Sequence, residues 1–513
     1  MAFPQVFTIF GWRKRLRGCK SNHINTCMMT SSQRASKYRW TICYLLFFAT
    51  TINYLDRQVL SLTWKDFIVP EFHWRNNDYG NIAAVFSLVY AIGMLCAGRF
   101  VDWLDTKKGF MWAIAIWSVG ACLHAYCGIA TAGVLTGNWF VGFGEAKELL
   151  GTVGDVSSII SVSVSLFIFA RVVLALGESG NFPAAIKAAA EYFPKKDRGF
   201  ATSIFNAGST VGALAAPVTV PFIAEAYGWE ASFLIIGALG FVWMGFWLFM
   251  YKKPHVHPKV NAAELAYIHQ DDVQTQPSGS STASGPAAPR RKLSFAKAFT
   301  YRQTWAFAVG KFMTDGVWWF FLFWTPAYLS SVYNLDSTES ALHIFILYAL
   351  TLLSIIGGWL PTYFVEKKGM NPYSGRMKAM LIFAFFPLLT LLAQPLGHIS
   401  VWIPVVIIGI AAAGHQAWSA NIFSTIGDMF PRSSVATITG IGGMAGGVGS
   451  FLINKGSGVL FDYAADTNMK FMGFVGIESG YFIIFAICSI SYLIGWSIMK
   501  GLVPRYEPIT DID

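Results

Sequence analysis

Residues 97–109 read AGRFVDWLDTKKG, and residues 357–369 read GGWLPTYFVEKKG. The two stretches lie 260 positions apart and share an early Gly and a closing Lys-Lys-Gly. Each joins one long apolar run to the next. A second match is independent of the first: Gly177 with Phe193-Pro194 answers Gly414 with Phe430-Pro431, at an offset of 237. Two matches in the same order argue for a duplicated chain, and weakly similar halves are a recurring design of membrane carriers. The 23-residue difference in offset falls between the two motifs, where the first half has the stretch 131–158 and the second half lacks it. We expect a long loop there; the segment GEAKELLGTVGDVS within it has no reading.

The runs around these motifs set the fold class. The chain has 513 residues, 54% hydrophobic and only 13% charged, against about 25% charged in soluble proteins. Stretches of about 20 apolar residues recur, as in membrane-spanning helices. Twelve spans are expected, roughly 40–62, 79–101, 109–130, 159–191, 199–224, 230–251, 302–330, 340–365, 377–395, 401–428, 434–460 and 478–500. The fold class is therefore an all-α membrane protein of two six-helix bundles, residues 39–251 and 301–503. A basic tail (1–38), a linker (252–300) and a short C-terminal tail (504–513) flank them. Within the linker, NAAELAYI can start a short helix, and 271–292 is Ser/Gly/Pro-rich. No short apolar stretch near the N-terminus ends in a small-residue cleavage site, so no signal peptide is expected.

Charge placement gives the orientation. With cytoplasmic termini, nearly all Lys and Arg fall on the inner side. Only Lys65, Arg75, Lys147, Lys455 and Lys470 lie outside, which is the positive-inside pattern. The net charge of +10 is thus an inner-face property, and no nucleic-acid partner is expected. Five of the seven cysteines, Cys43, Cys96, Cys122, Cys127 and Cys488, sit in apolar runs as small packing residues. No metal-spaced His cluster or nucleophile motif appears, so neither an enzyme nor a metal or cofactor is expected.

Four ionisable residues sit inside two spans of the first half. Asp56 and Arg57 interrupt the run from Trp40 to Trp64, and Arg171 and Glu178 share a face two turns apart, with Asn181 on the same stripe. Each charge at depth costs roughly 3 kcal/mol on insertion scales, so such residues mark function by default. Pro183 should loosen the helix just below Glu178. The second half differs: Lys311 and Asp315 stand one turn apart among Trp318, Trp319 and Trp324, and His415 answers Glu178. An anionic substrate needs a fixed cation, from Arg57, Arg171 or Lys311, and Arg can hold a carboxylate with two parallel hydrogen bonds. Poor solvation favours the neutral form of a carboxyl, and a neighbouring Arg opposes that. A substrate that occupies the Arg frees the acid to take a proton. Trp318, Trp418, Asn206 and Asn421 suit a polyhydroxylated ligand. Gly208-x-x-x-Gly212 and the run GIGGMAGGVG (440–449) permit close helix contact.

These residues carry a resemblance. INYLDRQVLS (52–61), GRFVDWLDTKKGF (98–110), ARVVLALGESGNFPAAIKAAAEYFPKKDR (170–198), FNAGSTVGALAAP (205–217), KFMTDGVWWFFLFWTPAYL (311–329) and GHQAWSANIFSTIGDMFP (414–431) resemble the anion:cation symporter branch of the major facilitator superfamily, nearest its bacterial hexuronate and sugar-acid transporters. The resemblance implies proton-coupled import of glucuronate, galacturonate or an aldonate across a bacterial inner membrane. It implies proton coupling at Asp56 and Glu178, and the substrate carboxylate at Arg57. Tyr54, Tyr90, Asn206 and Asn421 would then face the sugar hydroxyls, and Lys311 and Asp315 would join the site. The family's loop motif matches at Gly98, Asp102 and Lys107, but Trp103 stands for its Arg and Asp105 for its Gly. A monomer in a lipid bilayer is expected. Sodium coupling, other organic anions such as aldonates and dicarboxylates, efflux of cations, and a non-transporting sensor remain alternatives.

Overall fold

The computed structural model describes residues 35–270, 294–431 and 434–509. Most of the N-terminal tail, the polar linker segment 271–292 and the last four residues lie outside the described residues. The first half is built from α1 (Tyr38–Thr63), α2 (Asn76–Leu104), α3 (Thr106–Ala125, continued by Cys127–Thr136) and α4 (Val156–Glu178, continued by Asn181–Tyr192). It closes with α5 (Lys195–Ala215, continued by Val220–Tyr227) and α6 (Trp229–Met250). The second half follows as α7 (Arg302–Tyr333), α8 (Ala341–Leu350, continued to Lys368), α9 (Pro372–Leu388, continued to Gly397), α10 (Trp402–Met429), α11 (Val435–Asp466) and α12 (Ile477–Leu502).

Seven of these, α2, α4, α6, α8, α9, α10 and α12, are long and apolar enough to cross a membrane, and α3 and α5 join them when their halves, bent by 53° and 44°, count as one span. Helices α1, α7 and α11 are as long, with 26, 32 and 32 residues. Every residue of α7 from Gly316 to Leu329 is buried. Glycines permit the tightest contacts. A methyl group at Gly208 or Gly212 would overlap the carbonyls of Phe47 and Thr51, so α5 lies directly on α1. Helix α11 lies as closely on α7 at Gly449 and on α2 at Gly447.

Two of the breaks lie at prolines. Helix α4 stops at Glu178 and resumes at Asn181; Pro183 has no N–H to return to the preceding turn. Helix α5 breaks around Pro217. The stretch 131–158 is not one long loop, as expected from sequence, but holds the end of α3 and a further helix, Phe143–Thr152, that buries Ala146 and Leu150. The linker begins with the expected short helix, Ala262–Ile268. Its buried Glu264 accepts from the backbone N–H groups of Tyr38 and Arg39 and pairs with the Arg39 guanidinium at 3.1 Å, so it caps the start of α1.

Polar bonds between the two halves gather at the end away from the linker. There Asp462 of α11 accepts from the Asn76 and Asn77 backbone N–H groups at 3.1 and 2.8 Å, which makes it the cap of α2 in the other half. Arg75 reaches Asp466 at 2.5 Å, Lys455 donates to Asn77 and Asn81, and Asp66 accepts from Ser330 and Ser337. Near the linker, Arg99 of α2 stands over the Phe295 ring. These bonds tie the two halves together at the far end.

Candidate functional site

Helix α1 places Asn53, Asp56 and Arg57 on its inner face, where all three are buried. Helix α4 brings Arg171 and Glu178 to the same level. The Arg57 Nε and Nη2 both donate to one oxygen of Glu178, Oε2, at 2.8 and 2.6 Å. The sequence left open which cation meets which acid. The structure sets Arg57, not Arg171, on Glu178.

That pairing leaves a surplus. The Glu178 Oε1, both oxygens of Asp56, the Nε and Nη1 of Arg171 and both amide atoms of Asn181 are buried without a hydrogen-bond partner among the described residues. Buried polar groups are nearly always bonded, and leaving one unmet costs about 1–3 kcal/mol. Two carboxyl groups and two guanidinium groups thus share one dry cluster, and only one ion pair between them is fully made. This arrangement is built to accept something polar.

Aromatic rings enclose Arg57. Its guanidinium carbon lies 4.7 Å from the Tyr90 ring centre, 4.9 Å from Tyr54, 5.1 Å from Trp319 and 5.7 Å from Phe86. Three of these rings belong to the first half and Trp319 to the second. Arg171 stands over the other side of the cluster, 5.2 Å from the same Phe86 ring. Desolvated cation–ring contacts are worth about 2 kcal/mol each, so the cage keeps an arginine charged where water is scarce. Sequence reading missed Phe86 and the specific part of Trp319. The signal was Phe86 and Tyr90 one turn apart on α2, but an aromatic pair in an apolar helix is common.

The second half faces this cluster with a different surface. Lys311 pairs with Asp315 one turn along, at 2.8 Å, and stands 4.3 Å from the Phe423 ring. Trp318 stacks on His415 at 5.3 Å, and the His415 Nδ1 meets the Tyr492 hydroxyl at 2.7 Å. His415 is therefore a hydrogen-bonded ring within an aromatic wall. Trp418 is fully buried against Tyr492, its indole N–H without a partner among the described residues. Asn421 gives both amide protons to the Gly357 and Ala417 carbonyls, which ties α10 to α8 and leaves only its Oδ1 for a ligand. Asn206 is exposed, with no side-chain bond to the cluster.

The loop motif lies at the linker end. Asp102 pairs with Lys187 at 2.9 Å, and Lys107 donates to the Leu248 carbonyl at 2.7 Å. Both ties are internal to the first half. Gly98 has open space around it. Asp105, which stands for the family's glycine, adopts φ 72°, the left-handed region where a side chain is strained and glycine is the default. An ion pair with Lys253 at 3.3 Å holds it there.

The family model of the Major Facilitator Superfamily matches residues 46–453. The hexuronate transporter of Escherichia coli (strain K12) is 28% identical over 431 residues, covering 83% of this chain and 88% of that protein. A probable galactarate/D-glucarate transporter of the same strain is 24% identical over 425 residues, covering 81% and 86%. Among solved structures, a bacterial homologue of the human lysosomal transporter Spinster, inward-facing and unoccupied, superposes with a TM-score of 0.65 at 17% identity, covering 93% of this chain and 100% of that one.

Proposed function

Since the chain belongs to the Major Facilitator Superfamily, and so is a multi-pass membrane transporter and not an enzyme, we propose that it imports a sugar-acid monoanion, a hexuronate first of all, together with a proton. The observation that carries this is the half-paired cluster of Asp56, Arg57, Arg171 and Glu178. A substrate carboxylate takes the Arg57 donors from Glu178. Glu178, buried and released, and Asp56 beside it then hold a carboxyl that gains by taking a proton. Two acids and two bases balance before the exchange, and a monoanion entering with one proton keeps the balance. Tyr54, Tyr90 and Trp319 frame the sugar ring, and Lys311, Asp315, Trp318 and Trp418 form the opposite wall.

With the linker end, rich in Lys and Arg, in the cytoplasm of a bacterial cell, the bonds around Asp462 and Asp66 lie on the outer side. They must break for the outward state. A second reading has its own support: the Lys311–Asp315 pair is another exchangeable cation site, suited to the second carboxylate of an aldarate. Labelled glucuronate uptake into proteoliposomes, with and without an inward proton gradient, tests the proposal. Accumulation that needs the gradient and falls with excess glucuronate supports it. Competition by galactarate but not glucuronate selects the second reading, and accumulation driven by sodium alone rejects proton coupling.

A further inference from the structure

A second built site lies away from the chamber, on the outer face of the first half at its linker end. Lys108, Trp112, Ala115 and Val119 follow one another up α3 at helical spacing, and all face outward with Trp112 and Val119 exposed. Between this stripe and Met244 of α6 runs a groove of about 290 Å³, whose only charged lining residue is Lys108, at the end nearest the linker. The groove thus has a graded chemistry: thioether, indole and methyl groups along its length, and cations at its mouth. Lys107 is held to the end of α6 through the Leu248 carbonyl, and Lys252 stands exposed just beyond α6. Among the described residues neither of them, nor Lys108, has an acidic partner, whereas Lys253 is occupied by Asp105. Trp103, 80% exposed in the last turn of α2, supplies the amphipathic ring found at membrane interfaces.

We propose that this groove binds an acidic glycerophospholipid of the linker-side leaflet, one acyl chain along Met111, Trp112 and Met244 and the phosphate among Lys107, Lys108 and Lys252. The charge complementarity commits the occupant. A zwitterionic lipid offers these lysines no net charge, and a soluble anion has no use for the apolar length. The site stands on the membrane span alone and is independent of the substrate.

The repeat supplies the control. Lys367 and Lys368 occupy the positions in the second half that Lys107 and Lys108 occupy in the first. Native mass spectrometry of the full chain, released from nanodiscs of equal phosphatidylglycerol and phosphatidylcholine, reads the retained lipid. The expected result is about thirtyfold preference for phosphatidylglycerol, the scale for two lysines near an anionic headgroup, Lys108 and Lys252, with Lys107 tied to the Leu248 carbonyl. Lys108→Ala with Lys252→Ala brings the ratio to parity, Met244→Trp lowers retention of both lipids, and Lys367→Ala with Lys368→Ala changes nothing. Equal retention in the unaltered protein overturns the proposal. So does an equal loss of preference in the Lys367/Lys368 variant, which would mean bulk surface charge and no site.

Discussion

The two halves are each built of six long helices but present opposite surfaces to one another. The first half holds Asp56, Arg57, Arg171 and Glu178 in one dry cluster with acceptors and donors left over. The second half holds one satisfied pair, Lys311 with Asp315, in a wall of rings. Where the first half has Glu178 the repeat has His415, and that histidine is bonded to Tyr492. On the proposed function this is a division of labour: charge exchange falls to the first half, and the second supplies shape and apolar surface, with Trp319 standing over Arg57.

The largest test of this asymmetry is to remove one cation from each half. Arg57→Ala strands Glu178 without its partner, a loss of about 3–5 kcal/mol for a buried pair, and should reduce uptake more than a hundredfold. Lys311→Ala should reduce it far less for a monoanion. Equal losses, measured as initial uptake in proteoliposomes, would erase the distinction between the halves. Breaking the far-end ties between them is next. Asp462→Ala removes the cap of α2, worth about 1 kcal/mol, and should make a cysteine placed in the chamber react several-fold faster with thiol reagents added at the far end. No change in that rate would show that the closure lies elsewhere. Trp319→Ala takes away the second half's hold on Arg57. A cation–ring contact of about 1–2 kcal/mol predicts a rise in KM of about five- to thirtyfold, with Trp319→Phe recovering part of it.

The smallest effect concerns an acid outside the exchange. Glu71, between α1 and α2, is pushed up to about 7 by burial, against the pull of the Trp229 indole N–H that it accepts at 3.0 Å. An acid whose folded value is raised stabilises most at low pH and loses that contribution as pH rises from about 4.5 to about 7. Thermal stability should fall across this window, and Glu71→Gln should flatten the fall while transport persists. An unchanged slope in the variant would place the titration on another group.

Much of this was legible in the residues. The repeat motifs, the alternation of apolar runs with basic loops and the helix break at Pro183 all follow from local chemistry, and the helices agree with the expected spans to within a few residues. The charged cluster was legible as a set, because few charges sit in spans. Its pairing was not. Which guanidinium meets Glu178 depends on the rotation of α1 against α4, and spacing along either helix does not contain that angle. The tie at Asp462 was hidden for a related reason: its partner Asn76 is 386 positions away, and neither residue departs from ordinary loop-end composition. The stretch 131–158 was read as loop because the second half has no counterpart to it, although Ala146 and Leu150 give its short helix an inner face.

The central claim is that a substrate carboxylate displaces Glu178 from Arg57 and that a buried acid takes up a proton in the same event. Adding glucuronate to the purified protein in weakly buffered solution, with a pH indicator, measures this without any membrane. The account predicts uptake of about one proton per bound glucuronate, abolished or strongly reduced in Glu178→Gln although that variant still binds the sugar acid. Binding with no proton uptake by the unaltered protein, or undiminished uptake by the variant, would contradict it.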